Sequence, residues 1–224
     1  MNPLVSAQQA YFFNHHGYIE FEAFLSSPEC DALQEHVDAA LLARCKKSPS
    51  RIPQEQQYAN GRDLWREKDF LKNLVLSKRF TSLAFGLTNK PTLSLGFDQW
   101  IPPLDWPKSV KAKDLFSIQG LSSVYFIRLS EPAEGEILAA TFQREPGLIP
   151  LPTQRGHLLA VQPQLLLNLP RLAAYQPSLY CVGYAAPHAV YFHNPEDPCN
   201  HSLKAFGYNF GDRLIPAHHP LIRS

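Results

Sequence analysis

The chain is poor in the features that most often announce a function. Its 224 residues include only four cysteines, Cys30, Cys45, Cys181 and Cys199. These have neither the paired spacing of a zinc site nor the density of a secreted disulfide framework, so a reduced, cytoplasmic setting is expected. An excess of one charge is missing too: 21 Lys and Arg stand against 20 Asp and Glu. Without a basic block, neither nucleic acid nor a membrane is an expected partner. No apolar run is long enough to span a bilayer, and the first residues lack the basic-then-apolar order of a signal peptide. There is no Gly-x-Ser-x-Gly elbow, no P-loop and no dinucleotide Gly-x-Gly-x-x-Gly.

Proline, by contrast, is plentiful, with 20 residues. Most follow Gln99, which argues against long helices there. The length suits one core and one domain, with a helical part over 1–90 packing on a β core over 91–215.

The N-terminal part is well punctuated. Gln8 to Asn14 reads as a short helix stopped by Gly17, and Tyr18-Ile19-Glu20-Phe21 alternates as a strand. Ser26-Ser27-Pro28-Glu29 supplies an N-cap, a first-turn proline and a carboxylate at the positive end of the helix dipole. Behind it Leu33, Val37, Ala40 and Leu41 form one apolar face. In that register His36 and Asp38, the only His-x-Asp of the chain, flank Val37 toward solvent. On a helix they diverge and cannot share a metal. Arg44 to Arg62 has no usable period and reads as a long loop, a flap or binding segment. Asp63 to Leu87 reads as a second helical stretch.

From Pro91 the texture turns to strands. Thr92 to Ile101, Phe116 to Leu129, Glu136 to Phe142, Gly156 to Val161, Leu179 to Phe192 and Leu203 to Phe210 are apolar or aromatic runs between turn residues. Few helix-length segments separate them, so an antiparallel sandwich or jelly roll with helices outside is expected.

Two stretches carry a family resemblance. Gly17-Tyr18-Ile19-Glu20-Phe21-Glu22-Ala23-Phe24-Leu25-Ser26 with Glu29-Cys30-Asp31-Ala32-Leu33 resembles the opening of the phytanoyl-CoA dioxygenase-like family. Phe80 to Leu87, then Leu93-Ser94-Leu95-Gly96-Phe97-Asp98-Gln99-Trp100-Ile101-Pro102, is similar to that family's approach to its barrel. The resemblance implies a double-stranded β-helix (jelly roll, cupin-like) and, if the protein is active, Fe(II) and 2-oxoglutarate as cofactors. Such a site needs His, a carboxylate and a second His on one metal, and a cation for the far carboxylate of 2-oxoglutarate. The resemblance implies Asp98 and His193 as metal ligands and Lys204 as the 2-oxoglutarate anchor.

The first histidine is missing in either alignment. One register sets Gly96-Phe97-Asp98 on the motif, with glycine at the ligand position. The other places the motif near Ser117-Ile118-Gln119, where neither His nor carboxylate stands. A degenerate, metal-free site is therefore expected, unless His157 or His188 reaches in. His15-His16 and His218-His219 read as solvated terminal pairs. Cys181 reads as an inert core thiol, and Asp212 and Arg213 as a possible structural ion pair. Two readings follow: an oxygenase acting on a small organic substrate, or a ligand- or protein-binding module that kept the β-helix and lost the metal.

Overall fold

The computed structural model describes residues 4–105, 108–136 and 147–224. Helix α1 (Ala7–His16) opens with a reciprocal cap: the Gln9 N–H donates to Ser6 Oγ at 3.2 Å and the Ser6 N–H to Gln9 Oε1 at 2.8 Å. Gly17 ends it at φ +81°, a conformation that suits glycine, and leads into β1 (Tyr18–Phe21). Helix α2 (Ser27–Cys45) starts where Glu29 accepts from the Ser26 N–H at 2.7 Å, and it buries Leu33, Val37, Ala40 and Leu41 as its period requires. His36 is only half exposed, because its ring stacks on Phe70 at 4.0 Å.

The segment 44–62 departs from the expected loop. It holds a 3-10 turn (Pro49–Arg51) and helix α3 (Gln54–Asn60). Tertiary contacts make this helix, which is why it shows no period. Gln57 Nε2 donates to the Pro49 and Ile52 carbonyls, and Tyr58 is buried beneath. The second helical stretch is broken into a turn (Leu64–Arg66), α4 (Asp69–Val75) and α5 (Lys78–Thr88).

A six-stranded antiparallel sheet follows, in the order β1, β5 (Leu158–Val161), β4 (Ile118–Arg128), β7 (Leu179–Tyr191), β2 (Thr92–Ile101) and β8 (Leu221–Arg223). A two-stranded sheet pairs β3 (Val110–Lys111) with β6 (Leu166–Leu167), and α6 (Leu169–Tyr175) leads into β7. Alternation sorts the large sheet onto two faces. Tyr125, Ile127, Leu158, Ala160, Tyr180, Val182 and Tyr184 pack on α1, α2, α4 and α5. Val124, Phe126, Leu159, Val161, Leu179 and Cys181 point the other way, into a second core with Leu167 of the small sheet. The expected antiparallel sandwich with helices outside is what forms.

Leu203 to Phe210 is a correction. It is a 3-10 turn (Ser202–Phe206) closed by Gly207 at φ +83°, not a strand. Of the expected strand Glu136 to Phe142, residues 137–142 lie outside the described residues. No helix among the described residues is long and apolar enough to cross a membrane.

Candidate functional site

One irregularity in β2 decides where its polar residues go. Leu93 and Leu95 face the helices, and then the pairing with β7 slips between Leu95 and Phe97, at Gly96. Beyond the slip Phe97 and Ile101 face the inner core, while Trp100 joins the helix side. Asp98 consequently leaves the sheet toward the helices. There, fully buried, it accepts from the Trp65 N–H at 3.1 Å and from the Tyr180 hydroxyl. Burial pushes its pKa up to about 7, against the pull of the Tyr180 hydrogen bond.

His193 lies past the end of β7, exposed, edge-on to Phe210 at 5.0 Å. Lys204 sits in the 3-10 turn, with Nζ 4.8 Å from the centre of the same ring. The structure brings His193 and Lys204 to one aromatic side chain, but Asp98 is buried on the helix face of the sheet. The expected pairing of Asp98 and His193 on iron is not formed. Among the described residues no three His, Cys, Asp or Glu gather to hold a metal. The undescribed residues contain only one of these types, Glu145. The residues present do not fit the expected iron centre.

Other singled-out residues are accounted for structurally. His157 pairs with Glu20 at 3.0 Å, and His188 is exposed. His218-His219 is not a solvated pair: His219 is 1% exposed, its Nδ1 3.1 Å from the Leu95 carbonyl. Burial, partly offset by Asp63, pushes the pKa of His219 down to about 4. Asp212 and Arg213 form no ion pair; Asp212 accepts from the Asn209 N–H at 2.7 Å. Cys181 is fully buried and its pKa is raised well above the ordinary thiol value, which makes it inert.

The inner core near β2 holds a polar hub that spacing did not reveal. Residues 61–63 run beside β2, with the Trp100 N–H on the Gly61 carbonyl at 2.9 Å and the Asp63 N–H on the Asp98 carbonyl at 2.9 Å. Arg44, in the last turn of α2, holds this segment through the Asn60 carbonyl at 2.6 Å and the Asp63 carbonyl at 3.1 Å. Arg62 thereby turns inward. Its Nε donates to Gln99 Oε1 at 2.6 Å, and its Nη2 lies 3.2 Å from Asp197 Oδ1. The guanidinium carbon is 5.2 and 4.9 Å from the ring centres of Phe97 and Phe116. Asp197 also accepts from the Ser117 N–H, the Ser117 hydroxyl and the Cys199 N–H, each at 2.8 Å. Burial opposes the charge on Arg62, but the surrounding acidic groups, Asp197 first among them, together outweigh it and hold the pKa above its ordinary value.

This hub leaves almost no room. The space beside Arg62, Phe97, Ser117 and Tyr191 is about 10 Å³, one water at most. Gly183 makes the arrangement possible, because a Cβ there would lie 2.2 Å from the Phe97 ring. Gly183→Ala is expected to lower stability by about 1–3 kcal/mol through overpacking, measured by urea unfolding. An unchanged midpoint would show that Phe97 moves freely.

A larger cavity, about 390 Å³, opens at the rim of the sandwich. Lys113 and Asp114 form one lip, and Pro163 and Gln164, just past β5, form the other. The floor is the start of β4, Ile118 to Leu121, with Phe192 beside it. Strand pairing explains the opening. β4 pairs with β5 only from Val124 onward, and its register on β7 slips on both sides of Leu121.

No protein-family model and no curated protein matches the sequence. Solved structures do match in shape. The non-heme alpha ketoglutarate dependent carbocyclase SnoK from nogalamycin biosynthesis superposes with a TM-score of 0.67 at 14% identity, covering 97% of this chain and 96% of that one. The fold is that of the Fe/2-oxoglutarate-dependent oxygenases. The epimerase SnoN, solved with Fe3+, alpha ketoglutarate and nogalamycin RO, matches at a TM-score of 0.61 and 16% identity over 96% of this chain and 98% of that one. EctD from S. alaskensis, solved with bound Fe, matches at 0.57 and 15% identity over 83% of this chain and 78% of that one. The oxygenase fold is a double-stranded β-helix, as the family resemblance implies, but here its inner face near β2 carries Arg62, Gln99 and Asp197. The turn Asn194-Pro195-Glu196-Asp197-Pro198 was the one available signal for the hub, since Asn-Pro and Asp-Pro favour turns.

Proposed function

We propose that the chain is a non-catalytic ligand-binding module on an Fe/2-oxoglutarate oxygenase fold. Its ancestry is phytanoyl-CoA dioxygenase-like, supported by the Gly17 to Leu33 and Leu93 to Pro102 stretches. It works in the cytoplasm, in keeping with four unpaired cysteines. The observation that carries the reading is the Arg62–Asp197 hub. A guanidinium and two stacked phenylalanines occupy the inner face, and no three described His, Cys, Asp or Glu side chains gather to hold a metal. Fold alone does not confer the oxygenase reaction; the site does.

Anaerobic titration with Fe(II) and 2-oxoglutarate tests this. The expected result is no saturable binding up to about 1 mM and no succinate formed on adding oxygen. Saturable binding with 2-oxoglutarate turnover would overturn the reading and restore the oxygenase alternative.

A further inference from the structure

We propose that the 390 Å³ rim cavity binds a small zwitterion of the α-amino-acid type with an apolar side chain. The inference rests on the ligand-binding reading above and names its ligand class. Two opposite charges stand on one lip of the cavity, Lys113 and Asp114, and neither side chain has a hydrogen bond or ion pair among the described residues. Their backbones are nonetheless fixed from two sides. The Lys113 N–H donates to the Pro163 carbonyl at 2.8 Å, and Asn194 Nδ2 donates to the Asp114 carbonyl at 2.9 Å. The lip is built in advance, so ordering it costs a ligand little.

The charge pattern selects the ligand. A simple anion would meet Asp114, and a simple cation would meet Lys113. A neutral apolar molecule would desolvate both groups and satisfy neither, and a neutral polar one would leave both charges uncompensated. A zwitterion answers both, with its carboxylate on Lys113 and its ammonium on Asp114. Ile118, Leu121, Pro163 and Phe192 give the remaining wall an apolar character, and Gln119 and Gln164 add amides at the edge. The volume lies near the lower end for ligand pockets, which favours a small molecule over a peptide. The β4 backbone adds a further argument against a peptide strand. Gly120 at φ +97° and the slips around Leu121 break the regular edge that strand addition needs.

Calorimetric titration of the full chain with L-leucine and L-phenylalanine tests the proposal, with N-acetyl-L-leucine and L-leucinamide as probes that each lack one charge. The expected result is saturable binding with Kd below about 1 mM, weakened at least about tenfold for either control. Lys113→Met should remove the preference for leucine over leucinamide, and Asp114→Asn the preference over N-acetyl-leucine. Both side chains reach solvent, so the variants should fold, which circular dichroism checks. No saturable binding by the wild-type chain, equal binding of the controls, or unaltered preferences in the variants would overturn the proposal. Iron and 2-oxoglutarate binding would sink the metal-free reading separately, whatever leucine does.

Discussion

Asp197→Ala is expected to lower folding stability by about 3–5 kcal/mol, one of the largest effects of any single polar substitution in this chain. The substitution strands the Arg62 guanidinium between Phe97 and Phe116 with no counter-charge. It also removes the acceptor for the Ser117 and Cys199 N–H groups, which are buried. Arg62→Met alone should be comparably harmful, because it leaves the carboxylate charged and uncompensated. The pair Arg62→Met with Asp197→Asn should recover part of the loss, since neither charge is then left alone. Urea unfolding of the wild type, Arg62→Met, Asp197→Asn and the pair gives the coupling energy directly. A loss below about 1 kcal/mol for Asp197→Ala would mean the hub contributes no more than an exposed pair, and the inner face would be open to another cation.

The second large effect concerns pH. Asp98, raised from its ordinary value of 3.8 to about 7, holds a proton in the folded chain that it loses when unfolded. Its raised pKa therefore makes stability fall as pH rises from near 4 to near 7, by roughly 4 kcal/mol. His219 has the opposite sign. Its pKa falls from 6.5 to about 4, so it is neutral when folded and charged when unfolded across that range. Its contribution makes stability rise with pH over the same window, by roughly 3 kcal/mol. Between pH 4 and 6.5 the folded chain carries the proton on Asp98 and the unfolded chain carries it on His219. The two slopes nearly cancel.

Single substitutions should unmask them. Asp98→Asn leaves the His219 slope, so stability should climb from pH 4 to 6.5. His219→Asn retains a side-chain donor for the Leu95 carbonyl and leaves the Asp98 slope, so stability should drop from pH 4 to 7. Urea midpoints at pH 4, 5.5 and 7 report both. Parallel pH profiles for the wild type and the two variants would show that neither group is perturbed as described.

Local grammar was legible where local forces decide. The Ser26 cap, the Gly17 stop and the apolar face of α2 need only neighbours three or four residues away, and all appear where the pattern puts them. The long strands β2, β4 and β7 were equally readable, because alternation against two cores is written into each strand. Leu203 to Phe210 misled because aromatic content resembles a strand, whereas Gly207 and Gly211 allow the chain to turn. Helix α3 was hidden because its support comes from residues outside it.

By itself, the sequence determined the antiparallel sandwich and the absence of a His-x-Asp on any strand. Both follow from periodicity and from which residue types exist. The fate of Asp98 was decided only by the tertiary structure. A slip at Gly96 turns it to the helix face and leaves Gln99 to meet Arg62. In a strand of period two, one extra residue exchanges the faces of everything beyond it, and only the partner strand fixes where that residue is placed.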